Sequence, residues 1–124
     1  MKRKKLKRFY GEDLIFVGKV NGIAHKHSKM CINNVFVIKE SMEGNASKID
    51  HCWTNLPHEK IKKGDVVICT GRVCCYEHNF KSLPSAAVDL SLQLETVIEI
   101  DNTLTPLMSE NDPNRFFDKM LNVN

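Results

Sequence analysis

The segment VDLSLQLETVIEI, residues 88–100, places apolar side chains on its even positions almost without a break. Val88, Leu90, Leu92, Leu94, Ile98 and Ile100 share one face with Thr96, while Asp89, Ser91, Gln93, Glu95 and Glu99 share the other with Val97. Side chains alternate between faces along a strand, so this segment reads as a strand with one buried face and one solvated, acidic face. A helix would not hold that alternation.

Four further stretches read as strands. LIFVGKVNG (14–22) is rich in β-branched and aromatic residues and ends on Asn-Gly, a turn signal. IAHKHSKM (23–30) is a polar loop or a strand extension, and CINNVFVIKE (31–40) is a second strand, so the two form an antiparallel hairpin. SMEGNASK (41–48) is a loop with Gly44 and Asn45 as turn residues. IDHCWTNL (49–56) reads as a third strand, with His51 and Trp53 on one face and Asp50, Cys52 and Thr54 on the other. After the polar PHEKIKKGD (57–65), VVICTGRVCCYE (66–77) is a long fourth strand. Gly18 and Gly71 lie inside the first and fourth strands and suggest bulges or sharp coiling there. Beyond residue 101 the chain changes character. Asp112 is placed to cap a short helix that begins at Pro113, with Phe116, Phe117, Met120 and Leu121 as its apolar stripe. That stripe either packs back on the body or binds a partner or a second copy through residues 113–121.

Five antiparallel strands with internal glycines suit a small barrel, whose strands must coil. The elements resemble an OB-fold over residues 14–100, most closely in FVGKVNG, IKKGDVVICTGRV and LSLQLETVIEI. The stretches DHCWTNLP and IKKGDVVICTGRVCCYE are also similar to small phage and mobile-element proteins of that architecture. The resemblance implies a mainly β, five-stranded OB-like antiparallel barrel over residues 9–101, with a C-terminal tail, 102–124, that carries the short helix. It implies nucleic-acid binding. One departure stands out: about nine residues separate strands three and four, so the helix that many OB-folds place there is a single turn or missing.

At 124 residues the chain is one domain, long enough to bury a core without staples. It has no apolar run of the roughly 18 residues that cross a bilayer, and no membrane partner is expected. Five cysteines without a pairing pattern, and no apolar stretch after the basic start, read as reduced thiols in a cytoplasmic protein. The net charge of +3 conceals an asymmetry: residues 1–8 carry Lys2, Arg3, Lys4, Lys5, Lys7 and Arg8, so the remainder is net acidic. Such a run reads as a disordered electrostatic arm for nucleic acid or simply as a solvated end.

Three chemistries compete for the remaining residues. His25, His27, Cys31, His51, Cys52, His58, Cys69, Cys74, Cys75 and His78 are candidate metal ligands, but no Cys pair has structural-zinc spacing. Cysteine also packs as a small apolar residue, and no metal or other cofactor is expected. No nucleophile elbow, phosphate loop or His-Glu-x-x-His motif is present, so the chain reads as non-enzymatic. Single-stranded DNA or RNA needs cations and aromatic platforms. Trp53, Tyr76, Arg72, Lys60, Lys62 and Lys63 supply both, assisted by the arm, and Arg72 and Tyr76 share a face by parity. The competing reading is a protein-interaction module: an adaptor or inhibitor, such as a mobile element directs at a host or replication partner.

Overall fold

The computed structural model describes residues 4–57, 60–77 and 88–122, apart from the side chains of Lys4, Cys75, Tyr76, Glu77, Val88 and Asp89. Five strands, β1 (Leu14–Ala24), β2 (Lys29–Lys39), β3 (Ser47–Asn55), β4 (Val66–Glu77) and β5 (Val88–Ile100), form one antiparallel sheet in the order β3-β2-β1-β4-β5. The expected limits of β4 and β5 match those observed. The Asn21-Gly22 pair makes no turn. β1 continues to Ala24, and the chain reverses through a 3-10 turn at His25–His27, with Ser28 left-handed at φ 51°.

The glycines do not bulge their own strands. Where β1 passes Gly18, the extra residue lies on β2 at Asn34, which takes a left-handed φ of 50°. Asparagine tolerates that conformation better than most residues. The slip reverses the parity of β2: Met30 and Ile32 point inward before it, Val35 and Val37 after it. Gly18 is needed for close packing, because a Cβ there would stand 3.0 Å from the Ile32 Cβ. Gly71 behaves alike. β4 keeps its register with β1, whereas the β4–β5 pairing slips twice, so Glu95 and Ile98 are the extra residues of β5. A Cβ on Gly71 would overlap the Gln93 carbonyl oxygen and approach Phe16 Cε1 to 2.8 Å. These slips overturn the unbroken alternation expected of β5. Leu92 and Leu94 are buried and Val97 packs on the same core, while Thr96 and Ile98 face out. On β3, Cys52 and Thr54 are buried and His51 and Trp53 exposed, so the two faces differ in burial, but Asp50 departs from its expected face and is exposed.

Two cores result. The inner one fills the concave side of the sheet with Leu14, Phe16, Val20, Ile32, Val67, Cys69, Leu92 and their neighbours. Leu6 and Phe9, both fully buried, reach into it from a 3-10 helix at Lys4–Phe9. Over residues 4–8 this replaces the expected disordered arm, because two apolar side chains anchor the basic run; Lys2 and Arg3 lie outside the described residues. Ile61, from the β3–β4 connection, closes on the same core. The second core lies on the outer side of β1 and β2. There a 3-10 helix (Asn102–Ser109) and α1 (Pro113–Leu121) set Leu104, Met108, Phe116 and Phe117 against Val17, Phe36, Ile38 and Val66. The Phe116 ring lies parallel to Phe36 with centroids 3.8 Å apart. Asp112 caps α1 by accepting from the Asn114 and Arg115 N–H groups. The apolar stripe of residues 113–121 is therefore largely used within the chain, and only Leu121 among its four apolar residues is well exposed, at 59%.

The backbone ladder does not join β3 to β5. Side chains link these two edges instead. Ser91 Oγ donates to the Trp53 carbonyl at 2.8 Å, and the Leu94 N–H is shared between Thr54 Oγ1 (3.1 Å) and Asn55 Oδ1 (2.8 Å). Asn55 Nδ2 donates back to the Leu94 carbonyl at 3.0 Å.

Candidate nucleic-acid interface

Along the outside of that seam runs a cleft of about 430 Å³, lined by Lys29, Trp53, Asn55, Cys74, Ser91, Leu92 and Gln93. Its construction follows from strand pairing. Lys29 stands opposite Asn55, and Cys74 stands opposite Ser91. Trp53 projects outward because its neighbours Cys52 and Thr54 are buried, and it remains 46% exposed. A large aromatic ring left half open beside polar side chains and a lysine offers a flat apolar surface at the edge of a groove.

The β1–β2 turn borders this cleft, since Leu56 N–H donates to the Ser28 carbonyl at 2.7 Å. His25, Lys26, His27 and Lys29 are exposed along it. Past the end of β3, Lys60, Lys62 and Lys63 are exposed on the connection to β4. The Lys-Gly-Asp turn that launches β4 is fixed from several sides. Gly64 has φ +97°, and its N–H donates to the Val20 carbonyl at 2.8 Å, while Val20 N–H donates to the Asp65 carbonyl at 2.8 Å. The Asp65 carboxylate accepts from Lys62 N–H (3.0 Å) and Asn102 Nδ2 (3.1 Å). Those bonds hold its carboxyl below the usual aspartate range, the Lys62 N–H contributing most. The lysines of this loop thus project from a fixed turn.

The other expected contacts are dispersed. Lys5 Nζ donates to the Lys48 carbonyl at 3.0 Å, and Arg8 donates to the Asn45 carbonyl (2.6 Å) and Ser47 Oγ (2.8 Å) while lying 4.2 Å from the Phe9 ring centroid. Lys7 is exposed. Lys5 and Arg8 bind near the start of β3, six residues from Trp53, or about 20 Å along a strand. Arg72 is held by Asp13, Nε to Oδ1 2.8 Å, and this bond raises its already high pKa. That pairing directs Arg72 to the start of β1 instead of to Trp53. The Tyr76 strand position, opposite Asp89, is described, but its side chain lies outside the described residues, as do His58 and His78.

Residues that sequence reasoning passed over complete the cleft. By local pattern Lys29 falls in a loop or strand extension, Gln93 and Ser91 on a solvated face, and Cys74 among packing cysteines. Strand pairing alone brings them beside Trp53; the one local signal is Trp53 itself, an aromatic among polar neighbours. Cys31, Cys52 and Cys69 are buried, and among the described residues no three His, Cys, Asp or Glu side chains gather to hold a metal ion. Among those residues, too, no helix is long and apolar enough to cross a membrane. Compared with protein families, curated proteins and solved structures, the chain matches none.

Proposed function

We propose that this chain is an OB-type, non-enzymatic protein that binds single-stranded nucleic acid in the cleft over the β3–β5 seam. The observation that carries this reading is the half-exposed Trp53 lining a groove with Lys29. A base stacks on the indole, which is worth about 1–3 kcal/mol and tolerates any base. Lys26 and Lys29, then Lys60, Lys62 and Lys63, draw in the phosphates, and the strand exchanges condensed counterions for them. A duplex hides its base faces, so the stacking platform favours single strands. At the other end of β1 and β2, Glu12, Asp13 and Glu40 line a shallow hollow in which Lys39 pairs with Glu12 and Arg72 with Asp13, so among the described residues this end offers a polyanion no free cationic patch to match the lysines beside the cleft.

Trp53 is the only tryptophan, so its emission reports the site directly. Titration with oligothymidylate or oligouridylate of about 16 nucleotides, the upper end of one OB-type site, should quench it at low salt. The affinity should fall as salt rises. Unchanged emission and no binding to either oligomer at low salt would refute the reading.

A further inference from the structure

A closed sheet would join β3 to β5 through backbone; here the Asn55 side chain does that work. Its carboxamide donates to Leu94 O at 3.0 Å and accepts from Leu94 N–H at 2.8 Å. β3 and β5 run in the same direction, so a ladder here would be parallel and would bond the Leu94 N–H and carbonyl to two different residues of β3; the one carboxamide takes both. A carboxamide is chemically a peptide unit carried on a short stem. Standing in for a peptide, it satisfies the Leu94 backbone while keeping the β3 main chain a side chain's length away from β5. Ser91, bonded to the Trp53 carbonyl, and Thr54, bonded to the Leu94 N–H, add two single side-chain bonds across the seam next to the tryptophan. The seam is thus spaced wider than a ladder, and the cleft lies over it, between Trp53 on β3 and Gln93 on β5.

We propose that Asn55 is the positioning residue of the cleft: its spliced hydrogen bonds set the separation of Trp53 and Gln93 that admits a base. The inference rests on the nucleic-acid reading given above. One N–H and the carbonyl oxygen of the Asn55 amide are engaged by Leu94, which fixes the plane and orientation of the carboxamide in the seam. It acts by holding the two walls apart without letting the seam part. A bound strand, contacting both walls, should in turn hold the splice shut.

The test compares the wild type with Asn55→Ala, which loses both bonds, and Asn55→Asp, which keeps an acceptor for the Leu94 N–H but sets a carboxylate oxygen against the Leu94 carbonyl. Leu104→Ala, in the outer core remote from the cleft, serves as a control for lost stability. Affinity for labelled oligothymidylate is measured at a temperature where each protein is fully folded, together with acrylamide quenching of Trp53 and amide exchange at Leu94. Both Asn55 variants should bind about tenfold more weakly, the worth of one or two net hydrogen bonds, with altered quenching of Trp53. Leu104→Ala should bind as the wild type does. Saturating oligothymidylate should slow exchange of the wild-type Leu94 amide. If the wild type binds but folded Asn55 variants bind equally well, the positioning role is overturned and the function stands. If neither Asn55 variant folds, an unchanged Leu94 exchange rate in the saturated wild type overturns it. If the wild type binds no single strand, both fall together.

Discussion

The outer side of the sheet is finished in two different ways. Over β1 and β2 it is roofed: Val17, Phe36 and Ile38 lie under Phe116, Phe117, Leu104 and Met108. Over the β3–β5 seam no described segment covers it, and Trp53 stands 46% exposed beside Lys29 and Gln93. Both faces offer a large aromatic on a central stretch of strand. Only one aromatic has a second segment folded onto it. An aromatic on a strand is therefore core or platform according to whether the chain supplies a cover, and that cover comes from far away in sequence: Phe36 and its stacking partner Phe116 are eighty residues apart.

The contrast can be tested from both sides. Phe116→Ala removes the ring stacked on Phe36 and should cost about 3–5 kcal/mol, read by chemical denaturation. Affinity for oligothymidylate, measured on the remaining folded protein, should be unchanged. A parallel loss of binding would mean that the two faces are not independent. Gly71→Ala attacks the inner core that both faces share. With its Cβ forced against the Gln93 carbonyl and the Phe16 ring, it should cost about 3 kcal/mol, the upper end of ordinary overpacking. It should also disturb the cleft, because Gln93 is one of its walls.

Trp53→Ala should do the reverse of Phe116→Ala. Affinity should fall by about 1–3 kcal/mol, while the melting transition moves little, since the side chain is half exposed. A strongly destabilised Trp53→Ala would place Trp53 with the core. Lys29→Ala should lower the slope of log affinity against log salt by about 0.7, the share of one phosphate on a single strand, with the stacking contribution left intact.

The smallest expected effect concerns the roof alone. Glu110 accepts from Lys119 Nζ at 2.9 Å and from the Asn111 and Asp112 N–H groups. The Lys119 bond above all lowers its pKa from an ordinary 4.5 to about 2. A depressed carboxyl stabilises the fold fully above its unfolded value. That contribution declines as pH falls below 4.5 and is gone near 2. Glu110→Gln should therefore flatten the dependence of melting temperature on pH between those values and leave oligonucleotide binding at neutral pH unchanged.

Much of this fold could be read from the chain, and the misreadings share a cause. The limits of β4 and β5, the Asp112 cap and the helix after it were all legible, because each depends on neighbouring residues. The parity of β5 past Leu94 was not, because the slips at Glu95 and Ile98 arise from pairing with β4. Asn21-Gly22 carries a hairpin signature, yet β1 runs through it: the extra residue Asn21 is absorbed as a register slip against β2. The basic run at the N-terminus hid Leu6 and Phe9, whose burial shows only in the assembled core. The candidate site was half legible. Trp53 stands out among polar residues, but Arg72, grouped with Tyr76 by strand parity as a second contact, is bonded to Asp13.

One signal lay in the sequence unused. LIFV in β1 and VFVI in β2 are continuous apolar runs, which mark strands buried on both faces. They announced a roof over β1 and β2 before α1 was placed. By itself, then, the sequence determined five strands, a short capped helix, and which strands needed cover on both sides, since propensity and periodicity act between near neighbours. Tertiary structure alone decided which segment provides the cover, which cations are spent on Asp13 or on backbone carbonyls, and that a side-chain splice at Asn55 underlies an open groove. Each of these depends on pairing between residues distant along the chain, and a local pattern carries no record of that.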